Sequence, residues 1–126
     1  MTTNNLHHED YLERILQITN RDGFATVTEI AKELDVTKSS VSQMLTRLQA
    51  DKFIKKEKYR FLKLTNKGKK VAIKIRNRHL VLEEFFKLLK VPQKIRDKDI
   101  EGIEHSLSST TLKAIKKITN QLANKT

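Results

Sequence analysis

Glu101, Glu104 and His105 stand at i, i+3 and i+4 in the run Ile100-Glu101-Gly102-Ile103-Glu104-His105, so on a helix they project from one face. Two carboxylates and an imidazole aimed at one volume offer hard oxygen and borderline nitrogen to a divalent cation. One helix leaves an octahedral ion unsatisfied, and the chain holds two further sources: Asp10 and Glu13, at i and i+3 near the start, and His79 inside a long basic stretch. If those three segments converge, one ion ties the two ends of the chain together. Taken alone, an E-x-x-E-H run is more often a solvated helix face than a ligand set, so the surrounding elements must decide.

The 126 residues give room for one compact domain, or for two small ones sharing a long helix. Leu, Ile and Val are plentiful and aromatics few, which favours helix packing over a sandwich or barrel. The absence of cysteine excludes disulfides, thiolate zinc sites, iron–sulfur clusters and thiol catalysis, leaving oxygen and nitrogen to hold any metal. No apolar run approaches the roughly 18–20 residues needed to cross a bilayer, and no signal peptide precedes the first polar residues. A soluble, cytoplasmic protein without a membrane partner is expected.

The net charge of +11 is unevenly spread. Between Asp51 and Arg78, twelve lysines and arginines, from Lys52 and Lys55 to Arg76 and Arg78, oppose only Asp51 and Glu57. A block so one-sided has a polyanion as its natural partner, and beside a helix-turn-helix pattern nucleic acid is the expected one.

Residues 1 to 8 are polar and read as a loose leader, with His7 and His8 an unordered pair rather than ligands. From Glu9 to about Thr19, Tyr11, Leu12, Ile15, Leu16 and Ile18 recur at helical spacing, and Gly23 suits the left-handed cap beyond. Thr28 can cap a short helix over 29–34, and Thr37 a second from Lys38 to about Ala50. In that second helix Val41, Met44, Leu45 and Leu48 form the inner stripe, leaving Ser39, Ser40, Ser42, Gln43, Thr46 and Arg47 outward. Short hydroxyls and amides suit close approach to phosphates and base edges, and glutamine can pair with adenine in the major groove. The runs 53–57 and 60–64 read as strands joined around Lys58-Tyr59, a basic hairpin in which Lys58 and Arg60 can meet phosphate. Helix-turn-helix followed by such a hairpin is the winged-helix arrangement. Thr65 then caps a long helix over about 66–90, basic in its first half and apolar in its second, with Leu80, Leu82, Phe85, Phe86, Leu88 and Leu89. Pro92 opens the segment leading to the E-x-x-E-H run, Leu107-Ser108-Ser109 breaks it, and a last helix from Thr110 to about Asn124 sets Leu112, Ile115, Ile118 and Leu122 on one face.

This order of elements resembles the manganese-responsive branch of the diphtheria-toxin-repressor family of metal-dependent winged-helix regulators. The resemblance rests on E-D-Y-L-E-R-I, the S-S-V helix, E-K-Y-R-x-L-x-L-T-x-K-G-K-K, R-H-x-x-L-E-x-F and E-G-I-E-H, five fragments in register over nearly the whole chain. It implies a mainly α protein: a winged-helix DNA-binding domain over 1–70 and a helical metal-binding and dimerisation domain over 71–126, joined by the shared helix. It also implies a homodimer on a palindromic double-stranded operator, and a metal set of Asp10, Glu13, His79, Glu101, Glu104 and His105. Thr37, Ser39, Ser40, Ser42, Gln43, Arg47, Lys58 and Arg60 are the expected DNA contacts. The iron-sensing branch resembles this one except for a methionine and a cysteine where this chain has Asp10 and Glu101. Carboxylates there harden the site toward Mn2+, one or two ions per subunit, while Fe2+, Zn2+ or Cd2+ can occupy the same donors. The small barrel domain of longer members finds no room after the sixth helix.

The function implied is a repressor of metal-uptake genes that binds its operator when manganese is ample. A winged-helix regulator needing no metal is the rival, and it would have no use for the six ligands. A hydrolase or di-metal oxidase is disfavoured: the chain has no H-E-x-x-H motif and no nucleophile elbow, and six protein ligands leave little room for substrate.

Overall fold

The computed structural model describes residues 7–125, and the chain divides into two compact units that meet between Lys74 and Ile75. The expected joint at 70/71 likewise falls inside the long helix over residues 66–88.

The first unit contains α1 (His8–Asp22), α2 (Val27–Leu34), α3 (Lys38–Ala50), the hairpin β1 (Ile54–Lys56) and β2 (Leu62–Leu64), and the first turns of α4 (Asn66–Leu88). Leu12, Ile15 and Ile18 of α1 close over Ile30 and Ala31 of α2, Val41, Leu45 and Leu48 of α3, Ile54, Leu62 and Leu64 of the hairpin, and Ala72 of α4. This is the winged helix-turn-helix expected from the periodicity. α1 runs three residues beyond Thr19 and ends at Gly23, where φ of 90° gives the left-handed cap. His7 and His8 depart from the expected loose pair. His7 caps α1, accepting the Glu9 N–H while Asp10 accepts the His7 N–H, and His8 stacks on Phe53 with ring centroids 6.1 Å apart.

α2 starts at Val27, two residues before the expected Glu29. Ala25 bridges Leu62 of β2, which holds Thr26 extended, so Thr26 rather than Thr28 accepts the Glu29 N–H at 3.2 Å. Thr37 caps α3 as expected, accepting the Ser40 N–H at 3.0 Å. Arg21 ties the end of α1 to α2 through hydrogen bonds to Asp22 and Glu33, which hold both carboxyls below their usual range. That contribution is present above the normal carboxylate pKa and is lost as pH falls through the lowered values.

β1 and β2 are shorter than the runs 53–57 and 60–64. They pair antiparallel, with Ile54 opposite Leu64, Lys55 opposite Lys63 and Lys56 opposite Leu62. At the open end Phe53 is drawn off, its N–H bonding Leu48 and its carbonyl taking the Thr65 N–H; at the closed end the chain turns tightly over Lys58–Arg60. Thr65 also accepts the Gly68 N–H, capping α4 where expected. Gly68 is buried, and a Cβ there would collide with the Phe53 carbonyl oxygen.

The second unit holds the rest of α4, α5 (Gln93–Ile103) and α6 (Ser109–Asn124), around buried Ile75, Leu82 and Ile100. α4 ends at Leu88, two residues short of the expected Lys90, because Lys90 adopts positive φ and Val91 N–H returns to Phe86. α5 stops at Ile103, before the expected break at 107–109. Glu104 still donates to Ile100, but Ser106 tightens back to Ile103, and the buried Arg78 guanidinium takes the carbonyls of Glu104 and Leu107. Arg78 was counted among the phosphate-seeking cations; it is instead a cap for the carbonyls beyond α5. No helix among the described residues is long and apolar enough to cross a membrane.

Two outcomes are expected in urea unfolding of the chelated protein. Gly68→Ala loses about 1–3 kcal/mol, because the obstacle is backbone, whereas Gly102→Ala, with open space around its Cβ, is neutral or gains about 0.5–1 kcal/mol. Arg78→Met loses about 2–4 kcal/mol by orphaning two carbonyls, and Arg78→Lys restores only part, since an ammonium lacks the guanidinium fork.

Candidate metal centre and nucleic-acid face

The second unit brings three of the expected ligands together. Glu104 is 2% exposed and lies between two imidazoles, with His79 Nδ1 3.1 Å from Oε2 and His105 Nε2 3.5 Å from Oε1. His79 comes from the middle of α4 and the other two from the turn that closes α5. The expected single helical face is therefore modified: Glu101 sits on α5 itself and is exposed, Glu104 is turned inward, and His105 is largely buried. Ending the helix at Ile103, with Arg78 gripping the Glu104 carbonyl, is what fixes this turn.

His79 meets a second carboxylate, Glu83 Oε2, 3.5 Å from Nε2. Either ring nitrogen given to a metal leaves the other a carboxylate to hold the ring's orientation. Glu83 was overlooked in the sequence although its signal is plain: it follows His79 by four residues on one helix. Arg78 carried no comparable signal, because nothing in a basic run marks which guanidinium is buried.

On the first unit, Asp10 and Glu13 lie one turn apart on α1, both half-buried. Asp10 Oδ2 accepts the His7 N–H at 2.8 Å, and Glu13 Oε2 lies 3.5 Å from Gln17 Nε2. The capping box therefore orients one of the expected ligands. All donors in the set are carboxylate oxygen or imidazole nitrogen, including a carboxylate already withdrawn from water between two imidazoles, and this suits a hard to borderline divalent cation.

The expected DNA contacts lie on the surface of the first unit. Ser39, Ser40, Ser42, Gln43 and Arg47 are exposed along α3, and Lys58 and Arg60 are exposed at the hairpin tip. Thr37 is exposed too, but its hydroxyl is engaged with Ser40, donating to its Oγ at 2.9 Å. Met44, placed in the inner stripe, is half-buried and lines a small cleft with His8, Arg47 and Asp51. A cleft of about 620 Å3 separates α3 from the hairpin, lined by Thr28, Lys38, Ser42, Lys56, Tyr59 and Arg60 among others. Lys38, Lys56 and Tyr59 were not anticipated as contacts.

The comparisons with known proteins agree with this division. The profile described as "Iron dependent repressor, N-terminal DNA binding domain" matches residues 3–62, and that described as "Iron dependent repressor, metal binding and dimerisation domain" matches residues 65–125. The chain is 41% identical to the HTH-type transcriptional regulator MntR of Bacillus subtilis strain 168 over 115 residues, 91% of this chain and 80% of that one. It is 43% identical to MntR of Geobacillus kaustophilus over 100 residues, 79% of this chain and 71% of that one. Among solved structures, the manganese regulator SloR superposes with a TM-score of 0.82 at 28% identity, covering 95% of this chain and 55% of that one. The metal-dependent regulator MtsR gives 0.84 at 25%, covering 90% and 54%. The chain thus spans about half the length of these solved structures. By its two matched domains and its identity to both MntR proteins, the chain belongs to the iron-dependent repressor family, as a winged-helix DNA-binding domain followed by a metal-binding and dimerisation domain.

Proposed function

We propose that this chain is a manganese-activated transcriptional repressor of metal-ion uptake, working as a cytoplasmic homodimer on a palindromic operator. The observation that carries the reading is the buried Glu104 carboxylate between His79 and His105, inside the segment matched by the metal-binding domain. The ligand set is Asp10, Glu13, His79, Glu101, Glu104 and His105. Bound among them, a manganese ion supplies positive charge and directional coordination bonds.

The chain's own residues do the rest. Asp10, Glu13, Glu101 and Glu104 are four carboxylates whose mutual repulsion resists gathering unless a cation is shared. Asp10 and Glu13 are rigidly part of α1, which packs against α2 and β2, so holding them holds the winged helix. A dimer binds well only when its two recognition helices match the helical repeat of B-DNA. Exposed Leu80, Ile118 and Leu122 on the second unit supply apolar surface for the partner copy. The exposed hydroxyls, Gln43 and Arg47 of α3 then face base edges and phosphates, while Thr37 keeps the start of that helix in shape. Moving such an ensemble from 1:99 to 99:1 competent takes about 5.5 kcal/mol of differential binding.

The full chain, stripped by chelator and followed by fluorescence anisotropy on a palindromic duplex at fixed salt, should gain affinity steeply with Mn2+. Binding indifferent to chelator would favour the metal-independent regulator. Manganese at about a hundred times its Kd should also add about 2.7 kcal/mol of stability to the wild type. Glu13→Ala and His79→Ala, while still folded, should lose most of that gain together with metal-responsive DNA binding; unchanged behaviour in both would remove these residues from the site.

A further inference from the structure

Arg78 places a buried guanidinium on main-chain oxygens. Its Nη1 donates to the Glu104 carbonyl at 2.9 Å and to the Leu107 carbonyl at 2.5 Å. Neutral acceptors compensate a buried full charge less well than a carboxylate does. The charge also stands one residue from His79, where it works against any cation that His79 would bind. Two electrostatic costs at one residue point to geometry as its use.

The geometry concerned is that of the connection between α5 and α6. Arg78 holds it at Glu104 and Leu107, the Ser106 N–H returns to the Ile103 carbonyl at 3.0 Å, and Ser108 closes it by accepting the Thr111 N–H at 3.1 Å. On this pinned turn His79 Nδ1 meets Glu104 Oε2 and His105 Nε2 meets Oε1, so the two imidazoles stand on different oxygens of one carboxylate. Such a spread arrangement suits some ions better than others. Zn2+ is satisfied by a compact tetrahedron of three protein donors and a water, whereas Mn2+ takes a larger, octahedral set of oxygen and nitrogen. At a compliant site the Irving–Williams order gives Zn2+ the advantage. A turn that cannot draw its donors together withholds that advantage.

We propose that Arg78 is a positioning residue for metal selectivity: by fixing the turn from Glu104 to Leu107 it keeps His79, Glu104 and His105 spread for Mn2+ and prevents their closing on Zn2+. The proposal rests on those three residues being metal ligands, and it adds a residue that itself touches no ion. Electrostatics and geometry separate cleanly here. The charge of Arg78 opposes Mn2+ and Zn2+ alike, because both are divalent, so it cancels in the ratio of their affinities. Only a change in donor placement moves that ratio.

The test uses the full chain stripped by chelator. Mn2+ and Zn2+ affinities are measured by competition with a fluorescent chelator, and Co2+ serves as a spectroscopic probe of coordination number. Arg78→Met should bind Mn2+ about tenfold to a hundredfold more weakly than wild type, while Zn2+ binding holds or tightens. Arg78→Lys, which offers an ammonium but not the fork, should fall between the two. In the same variants the weak visible bands of six-coordinate Co2+ should give way to the intense bands of a four-coordinate ion. Gly68→Ala separates selectivity from stability, since it loosens the first unit without touching this turn. It should keep the wild-type ratio and spectrum. Should Arg78→Met fail to fold, Arg78→Lys decides. Equal changes in Mn2+ and Zn2+ affinity on substitution of Arg78, or the same shift in Gly68→Ala, overturn the proposal while leaving the metal centre standing. A wild type that takes up neither ion removes the centre itself, and the proposal falls with it.

Discussion

A carboxylate removed from water must be given partners, and much of the second unit is arranged to give them to Glu104. His79 approaches from α4 and His105 from the next residue along the chain. Arg78, one residue before His79, takes the Glu104 backbone carbonyl, so the side chain and main chain of one residue are both held by consecutive residues of α4. This explains why α5 must stop at Ile103: a continued helix would consume that carbonyl and carry the side chain away from His79. The imidazoles that make a buried carboxylate tolerable are the groups a cation would recruit. A cation taken up here would exchange partners with imidazoles already in place beside Glu104.

The first unit solves a different problem, the presentation of charge without loss of shape. α3 keeps a narrow apolar stripe of Val41, Leu45 and Leu48 in the core and turns short polar side chains outward, so the helix can approach a surface closely. The bulky cations are displaced to the hairpin and to the start of α4. Not all of them are available to a polyanion. Lys67 reaches the Asp51 carbonyl at 2.8 Å while sitting over the Phe53 ring, closing the end of α3.

The architecture was legible in the sequence through its period of 3.6: α1, α3, α4 and α6 follow from apolar spacing, with Thr37 and Thr65 read as the caps of α3 and α4, while the caps His7 of α1 and Ser108 of α6 were not read. Boundaries were less legible where a long-range bond decided them. Thr26 prevailed over Thr28 because Ala25 pairs with Leu62 some forty residues on, and α5 ended early because of Arg78 on another helix. Of the site, the ligand types and the i, i+3, i+4 spacing of Glu101, Glu104 and His105 were legible, while their joining with His79 came only from the family resemblance. The inward turn of Glu104 was not legible, because it depends on where a helix stops. The hairpin tip was legible as basic; its positive φ at Tyr59 and Arg60 was not, since sequence preferences argue against that conformation.

Lys55 and Lys63 stand directly opposite one another on strands of only three residues each. Like charges across a ladder oppose pairing, and so short a hairpin has little else of its own to resist them. Salt should therefore act on this protein in two senses at once. Added counterions relieve the repulsion and firm the hairpin, yet they also weaken any contact it makes with a polyanion. A phosphate strand settling beside the two lysines removes the same repulsion locally. With a polyanion beside it the hairpin would be stiffer than the free element, by an amount that ionic strength sets.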